Sequence, residues 1–461
     1  MYTLVVNTRS RKLRHDLAAS TGDGATYSFM VGVGEMYFIP FVLALGVGEV
    51  SAGLFFTIPY LCGSILQLLA PWGVSMLKSP RKWVLCCAVV QCLSFIPLID
   101  GAIRGSLPAW VIFASFALYW GAAIGAGPAW GAWVAALIPS NIRPKYFGRR
   151  SRICQLMTLS GLSVAGAILF FGEYFDGSKN IDQAQSVARK FSWQLAAFAS
   201  IFLLGLLSRG TSIPYLVRQS EPPPGAWKHS PVPLRTLLIR PLMGQERPLL
   251  LFMLIFQLAL QISSPFVASY LIGEIGFSNA TYFAAAATLF ATKSVAVSIF
   301  GSIASRRGPR FVLVLSAGFL TAHAALFALP PETSTIFILM ALSGICWAGY
   351  EIATFLLLLD VSKPEERTSI LTSFNLLNAL ALVAGSLVGG SLLHWLGDDR
   401  KAYALLFLIS AGARLAALSL LRFVRDTRGS KSDQNQAHPS NLREISMEED
   451  GSFNRPPESI L

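Results

Sequence analysis

Charge is what this sequence has least of. Only 13% of its 461 residues are Asp, Glu, Lys or Arg, while 53% are apolar and the mean hydropathy is +0.55. Soluble domains carry about a quarter charged residues, enough to cover a water-facing skin. With half of that, an ordinary soluble enzyme of this length is excluded, and lipid must supply the outer apolar partner. Cysteine is scarce as well. Cys62, Cys86, Cys87, Cys92, Cys154 and Cys346 lie almost entirely in apolar runs and form no C-x-x-C or Cys/His spacing, which argues against a metal site or a disulfide framework. Walker A, Gly-rich dinucleotide, H-E-x-x-H and G-x-S-x-G signatures are all missing. No cofactor, ATP-driven pumping or common enzymatic chemistry is therefore expected. A cleavable leader is not expected either. The basic start (Arg9, Arg11, Lys12, Arg14) runs into an apolar stretch longer than a signal core, without a small-residue cleavage site.

Long apolar runs are what the sequence does have. A helix needs roughly 20 apolar residues to cross the hydrocarbon core. On that rule helices are predicted near 24–46, 49–72, 83–99, 109–137, 151–172 and 192–208, and again near 248–272, 280–303, 311–330, 335–359, 368–395 and 402–424. The fold class expected is an all-α polytopic membrane protein of about twelve transmembrane helices in two pseudo-symmetric six-helix bundles, 24–208 and 248–424. Residues 1–23 are expected to be a cytoplasmic N-terminus. The Pro-rich, basic stretch 209–247 reads as a cytoplasmic linker. The charged stretch 425–461 is too poor in bulky apolar groups to fold and reads as a disordered tail.

A net charge of +12 could suggest nucleic acid, but its placement argues otherwise, since the cations sit in short loops between apolar runs. Lys and Arg resist translocation. One set of loops holds thirteen of them: Lys78, Arg81, Lys82, Arg143, Lys145, Arg149, Arg150, Arg152, Arg306, Arg307, Arg310, Lys363 and Arg367. The other set holds six: Arg104, Lys179, Arg189, Lys190, Arg400 and Lys401. Both termini are expected on the inner side.

The two halves repeat. Pro40-Phe41-Val42 recurs as Pro265-Phe266-Val267 and Gly48-Glu49 as Gly273-Glu274, both 225 residues on. Gly73-x4-Lys78-x3-Lys82 matches Gly301-x4-Arg306-x3-Arg310 at nearly the same offset, with Arg81 and Gly308 inside the two loops. Parallel repeats of this kind are one known transporter architecture. The run Gly301-Ser302-Ile303-Ala304-Ser305-Arg306-Arg307-Gly308-Pro309-Arg310 resembles the loop motif G-x-x-x-D-R-x-G-R-R of the major facilitator superfamily. Gly73 to Lys82 looks like its more degraded partner. The resemblance implies a cytoplasmic gating loop whose glycine permits close helix contact and whose cations bond neighbouring helix ends. It also implies that helices 1, 4, 7 and 10 line the path. The chain departs from the pattern in having Ser305 and Leu77 at the acidic position. Ala117 and Trp120 stand where proton-coupled members carry R-x-x-Q, and helix 5 lacks the Gly-Pro of drug/proton antiporters.

Ionisable groups inside a span cost at least ~2.5 kcal/mol and usually face a cavity or a partner. Glu35, Lys293 and Glu351 fall within helices 1, 8 and 10 and are the candidate coupling residues. Lys293 has two possible partners, Glu351 in its own half or Glu35 across the path. Arg414 and His323, on outer helices, read rather as structural. Polar and aromatic candidates for the substrate path are Tyr119 and Trp130 on helix 4, Gln257 and Gln261 on helix 7, Tyr350 on helix 10, and Asn375 and Asn378 on helix 11. The expected function is transmembrane transport of a small, organic solute by alternating access, ion-coupled or facilitative, in a bacterial cytoplasmic membrane. Its partners would be lipid, the solute and a proton or sodium ion. A lipid flippase, a non-transporting sensor on the same scaffold and a polytopic lipid-linked enzyme are the alternatives.

Overall fold

Lipid offers no hydrogen-bond partners, so an apolar run must satisfy its own backbone, and a helix does so within one segment. The computed structural model describes residues 2–46, 49–177, 193–221, 247–277, 279–329, 332–362, 366–397 and 399–423, and Met1–Leu421 form one compact unit. Among the described residues twelve helices are long and apolar enough to cross a membrane: α1 (Arg11–Ala44), α2 (Ile58–Leu77), α3 (Pro80–Arg104), α4 (Ala109–Leu137), α5 (Arg143–Gly172), α6 (Trp193–Arg218), α7 (Arg247–Ser269), α8 (Ala284–Arg307), α9 (Pro309–Leu326), α10 (Thr333–Val361), α11 (Arg367–Leu396) and α12 (Arg400–Phe423). No strand occurs among them. In the first half α1 packs on α5 and α6, and α4 on α2 and α3. In the second half α10 packs on α8 and α9, and α7 on α11 and α12. The expected tail, most of the expected linker (222–246) and the stretch 178–192 lie outside the described residues.

Proline explains the most visible feature of the repeat. Its ring collides with the carbonyl four residues back and it offers no N–H. Ahead of Pro40, α1 gives way to a 3-10 turn at Glu35–Tyr37; around Pro265, α7 does so at Ser264–Phe266. Both α1 and α7 thus break at the repeated Pro-Phe-Val.

Several helices run longer than the sequence expectation, the fifth from Arg143 where 151 was expected, and two boundaries differ most. The first helix already runs from Tyr2 to Val33, and Asp16, Ser20 and Asp23 are buried. Asp16 Oδ1 accepts from the Ser220 backbone N–H at 2.8 Å, Trp133 Nε1 donates to the Ser220 carbonyl at 2.9 Å, and Tyr146 Oη donates to the Leu17 carbonyl at 3.2 Å. Residues 11–23 are therefore built into the first half. The sixth helix likewise continues to Arg218 where 208 was expected. A hydropathy rule ends a helix at the first cluster of charges; here the charges are folded in.

Between helices in lipid no hydrophobic drive exists, and packing quality decides association. The first half is filled by rings: Phe38 stacks on Phe116 at 4.4 Å and meets Tyr119 edge-on at 4.9 Å, with Phe41, Phe95, Phe198 and Phe202 around them. The second half has a smaller ring cluster, Tyr270, Phe327, Tyr403 and Phe407. Gly385 and Gly389 let α11 lie against α7, since a Cβ on either would fall 2.4 Å and 2.1 Å from the Leu258 and Ile262 carbonyls.

The helix ends show a second repeat. Arg143 Nε donates to the Ile138 carbonyl at 2.9 Å and its Nη2 to that of Ala135. Arg367 Nη2 donates to the Leu359 and Ser362 carbonyls at 3.1 and 3.2 Å. Each arginine caps the C-terminal carbonyls of the preceding helix, where the backbone leaves acceptors unmatched and the dipole favours a cation. All three positions correspond at an offset of 224 residues.

Candidate functional site

The seam between the halves comes first, because it decides what can move. Side-chain and glycine contacts joining the halves cluster at the end that carries the basic loops. Gly148 of α5 faces Gly301 of α8 so closely that a Cβ on Gly301 would lie 2.8 Å from the Gly148 Cα and 2.6 Å from the Pro144 carbonyl. Ser298 Oγ donates to the Gly148 carbonyl at 3.2 Å. Phe355 of α10 packs edge-on against Phe147 at 4.8 Å and beside Trp130 at 6.4 Å. Arg143 reaches Asp360 at 3.8 Å. The two halves thus meet here through two glycines, three rings and one ion pair.

The loop motif therefore divides its labour. Gly301 makes a close helix contact, and it does so across the seam. Gly73 instead makes room for the Trp83 ring of α3 in its own half. The motif cations bond helix ends within each half: Arg81 Nη2 donates to the Val217 carbonyl, and Arg310 Nη2 to that of Leu421 at 3.2 Å. Lys78 closes α2 in a left-handed conformation, the Lys82 backbone N–H is capped by Ser79 Oγ at 3.1 Å, and Gly308 takes φ +92° between α8 and α9. Arg306 is exposed in the last turn of α8.

Lys293 and Glu351 are brought together. Their Nζ and Oε1 lie 2.7 Å apart, with Lys293 12% and Glu351 48% exposed. Of the two pairings left open by the sequence, the one inside the second half is adopted. Glu35 is held in the other half, where the buried Tyr119 hydroxyl donates to Oε2 at 2.7 Å. It sits in the 3-10 turn of α1, above the aromatic core. Tyr350 is buried and packs on Phe256 at 5.3 Å. Gln257, Gln261, Asn375 and Asn378 are half-buried, and among the described residues no side-chain hydrogen bond engages any of the four. Trp130 belongs to the seam and to the charge cluster described next.

That cluster is what sequence reasoning missed. Asp23 of α1 accepts from Ser212 Oγ at 2.7 Å and lies 3.8 Å from both Arg209 of α6 and Arg150 of α5. Arg209 Nη1 donates to Ser212 at 2.8 Å and its guanidinium stands over the Tyr27 ring at 4.9 Å. Arg150 stands over Trp130 at 4.4 Å and donates to the Ser20 carbonyl at 3.0 Å. These groups border a cavity of about 190 Å³. Two signals were available: Asp16 and Asp23 are seven residues apart, two turns on one helical face, and Arg209 and Ser212 are three apart.

In the second half, Arg414 of α12 is 3% exposed. It donates to the Leu320 carbonyl and Ser263 Oγ at 2.8 Å and to the Leu260 carbonyl at 3.4 Å.

The sequence profile of the Major Facilitator Superfamily matches residues 25–333 and 249–448. None of the curated proteins matches the sequence. Among solved structures, the chain is similar to the human organic anion transporter MFSD10 (TETRAN) at 15% identity and TM-score 0.63, covering 90% of this chain and 99% of that one. It is similar to the E. coli fucose:proton symporter FucP at 16% identity and TM-score 0.64, covering 89% and 98%. A bacterial homologue of the iron transporter ferroportin in its outward-facing state matches at 17% identity and TM-score 0.62, covering 90% and 98%. At these identities the likeness establishes the fold.

Proposed function

The chain belongs to the Major Facilitator Superfamily, and from that premise we propose that it is a secondary transporter moving a small organic solute by alternating access. The observation that carries this reading is the seam. Two similar halves meet along α5 with α8 and along α11 with α2 and α4, and the close glycine, ring and ion-pair contacts of that seam lie at the basic-loop end, as a rocking pair closed at that end needs. Packed interfaces of this kind switch between discrete arrangements rather than deforming continuously. The Gly148–Gly301 crossing holds only while no side chain separates the helices, and Arg143–Asp360 is a single pair that water can replace on opening. The similarity to transporters of organic anions and of fucose with protons supports the solute class.

The basic-loop end is read as cytoplasmic, with both termini on that side, in a bacterial cytoplasmic membrane. The Lys/Arg asymmetry of the loops supports this. On that topology the closed gate is the inner one. Glu35 with Tyr119, and Lys293 with Glu351, are assigned to ion coupling, because ionisable groups within spans mark ion and substrate pathways. The half-buried Gln257, Gln261, Asn375 and Asn378 are assigned to substrate contact, their amides being free to bond a solute.

A cross-link tests the reading. The purified Arg143→Cys/Asp360→Cys variant, oxidised in proteoliposomes, is expected to lose counterflow and net uptake and to recover both on reduction. Unchanged flux in the fully cross-linked protein would overturn alternating access at this seam.

A further inference from the structure

We propose that a cavity inside the second half binds a small organic monoanion, with its acid group on Arg414 and its apolar body between the rings of α8, α9 and α12. The cavity measures about 270 Å³ and is lined by residues of α7, α8, α9, α10 and α12. This site lies within one half, with Leu289 and Trp347 of its lining one helical turn before Lys293 and Glu351, and it does not depend on the transporter reading.

Charge is the first argument. Arg414 is almost wholly buried and among the described residues no carboxylate pairs with it. Of its five donors, two carbonyls and one hydroxyl take three, and Nε has no partner. Carbonyl dipoles offset a guanidinium only in part, whereas buried charges elsewhere are answered by a charge of opposite sign. This protein does so itself in the other half, where the equally buried Arg209 faces Asp23. Both arginines sit about two turns before the helix-end carbonyls, Val217 and Leu421, that the motif cations cap. Both arginines border a cavity, but the first half supplies its own anion and the second supplies none among the described residues.

The lining is the second argument. Small-molecule sites are mostly apolar with a few convergent polar groups. Leu289, Phe290, Phe327, Met340 and Phe407 give this one its apolar wall. The Ser343 hydroxyl and the Trp347 indole N–H also border it, and neither has a hydrogen-bond partner among the described residues. His323 is fixed by its Nε2 contact to the Leu339 carbonyl at 2.9 Å. With one cation in the lining, a single negative charge is matched and a dianion is not. The volume lies just under the roughly 300 Å³ at which drug-sized pockets begin, so the body must be small. A bare halide would leave the ring-lined wall without contacts.

The test uses the purified full chain in an uncharged detergent with gluconate as the buffer anion. Thermal stability and tryptophan fluorescence are followed against benzoate and hexanoate, and against benzamide, hexanamide and chloride. Both acids are expected to raise the Tm saturably, with the amides and chloride inert at the same concentrations. Arg414→Met is expected to weaken benzoate binding by roughly tenfold or more. Ser343→Leu, which narrows the cavity and leaves the arginine in place, is expected to do the same and serves where Arg414→Met does not fold. Equal stabilisation by the amides, a response to chloride that matches benzoate, or unchanged benzoate affinity in either folded variant would overturn the proposal.

Discussion

The halves share a chain path and differ in how they treat a buried arginine. In the first, Arg209 is tied to Asp23, Ser212 and, through Asp23, to Arg150; in the second, Arg414 is tied to two carbonyls and Ser263. Their coupling candidates are opposite in character too. The first half keeps Glu35 on a neutral tyrosine, and the second keeps Lys293 on a half-exposed glutamate. One half is closed electrostatically around α1, α5 and α6. The other leaves Glu351 half-exposed and keeps Arg414 buried with no carboxylate on it among the described residues. Duplication thus preserves where a charge is buried more faithfully than how it is balanced.

Removing the balancing charge should break this comparison hardest. Asp23→Asn strands two arginines, and breaking a buried pair costs roughly 3–5 kcal/mol. We expect a large loss of folded protein in the membrane and of Tm, partly restored by adding Arg209→Met. Glu351→Gln loosens an exposed pair worth about 1 kcal/mol or less. Equal Tm losses for the two would erase the distinction between the halves. Next in size is Gly301→Val. Its Cβ would enter the Pro144 carbonyl and the Gly148 backbone, and overpacking costs about 1–3 kcal/mol. That cost falls on the closed gate alone, so flux should drop by roughly tenfold while folding yield is kept. Gly73→Val presses on Trp83 within one half and should lower the Tm instead.

The helix caps give a smaller effect. Arg143→Gln and Arg367→Gln each remove charge-assisted bonds to helix-end carbonyls, a loss of about 1.5–3 kcal/mol per well-formed bond before water replaces it. Similar Tm decreases are expected. Arg143→Gln should also change the accessibility of the gate, because Arg143 reaches Asp360 in the other half; accessibility of Ser298→Cys to a thiol reagent reads this out. Smallest in stability is Glu35→Gln, whose amide can still accept from Tyr119. Its expected effect is on coupling: net accumulation and its pH dependence fall while counterflow remains. Normal accumulation in Glu35→Gln would remove this residue from the path.

The architecture was legible wherever hydropathy and repeat agree. The fourth helix is expected at 109–137 and is found at Ala109–Leu137, with no charged residue between Pro108 and Ile138. The Gly301 contact was legible through its motif. Asp23, Arg150 and Arg209 were not, because hydropathy counts a charge as an end of a span and takes no account of a partner on another helix. The Lys293–Glu351 pair was visible as two options, since helix spacing fixes depth but not the rotation of one half against the other. The arginine caps went unnoticed because their offset is carried by single residues separated by unlike ones.

That 224-residue spacing also dates the parts of the chain against one another. From Ala135 to Arg143 and from Leu359 to Arg367 the register has stayed in step, whereas Val217 and Leu421, which serve as equivalent helix ends, stand only 204 residues apart. The copies thus differ by 20 residues after the fifth and eleventh helices: 173–192 in the first half answers to the three residues 397–399 in the second, and three more separate the last helices before Val217 and Leu421. The difference in length lies mostly on the side away from the basic loops. On the gate side, the turn after α4 behaves as a ruler of fixed length, and a loop-length library would find its tolerant and intolerant sites divided along the same line.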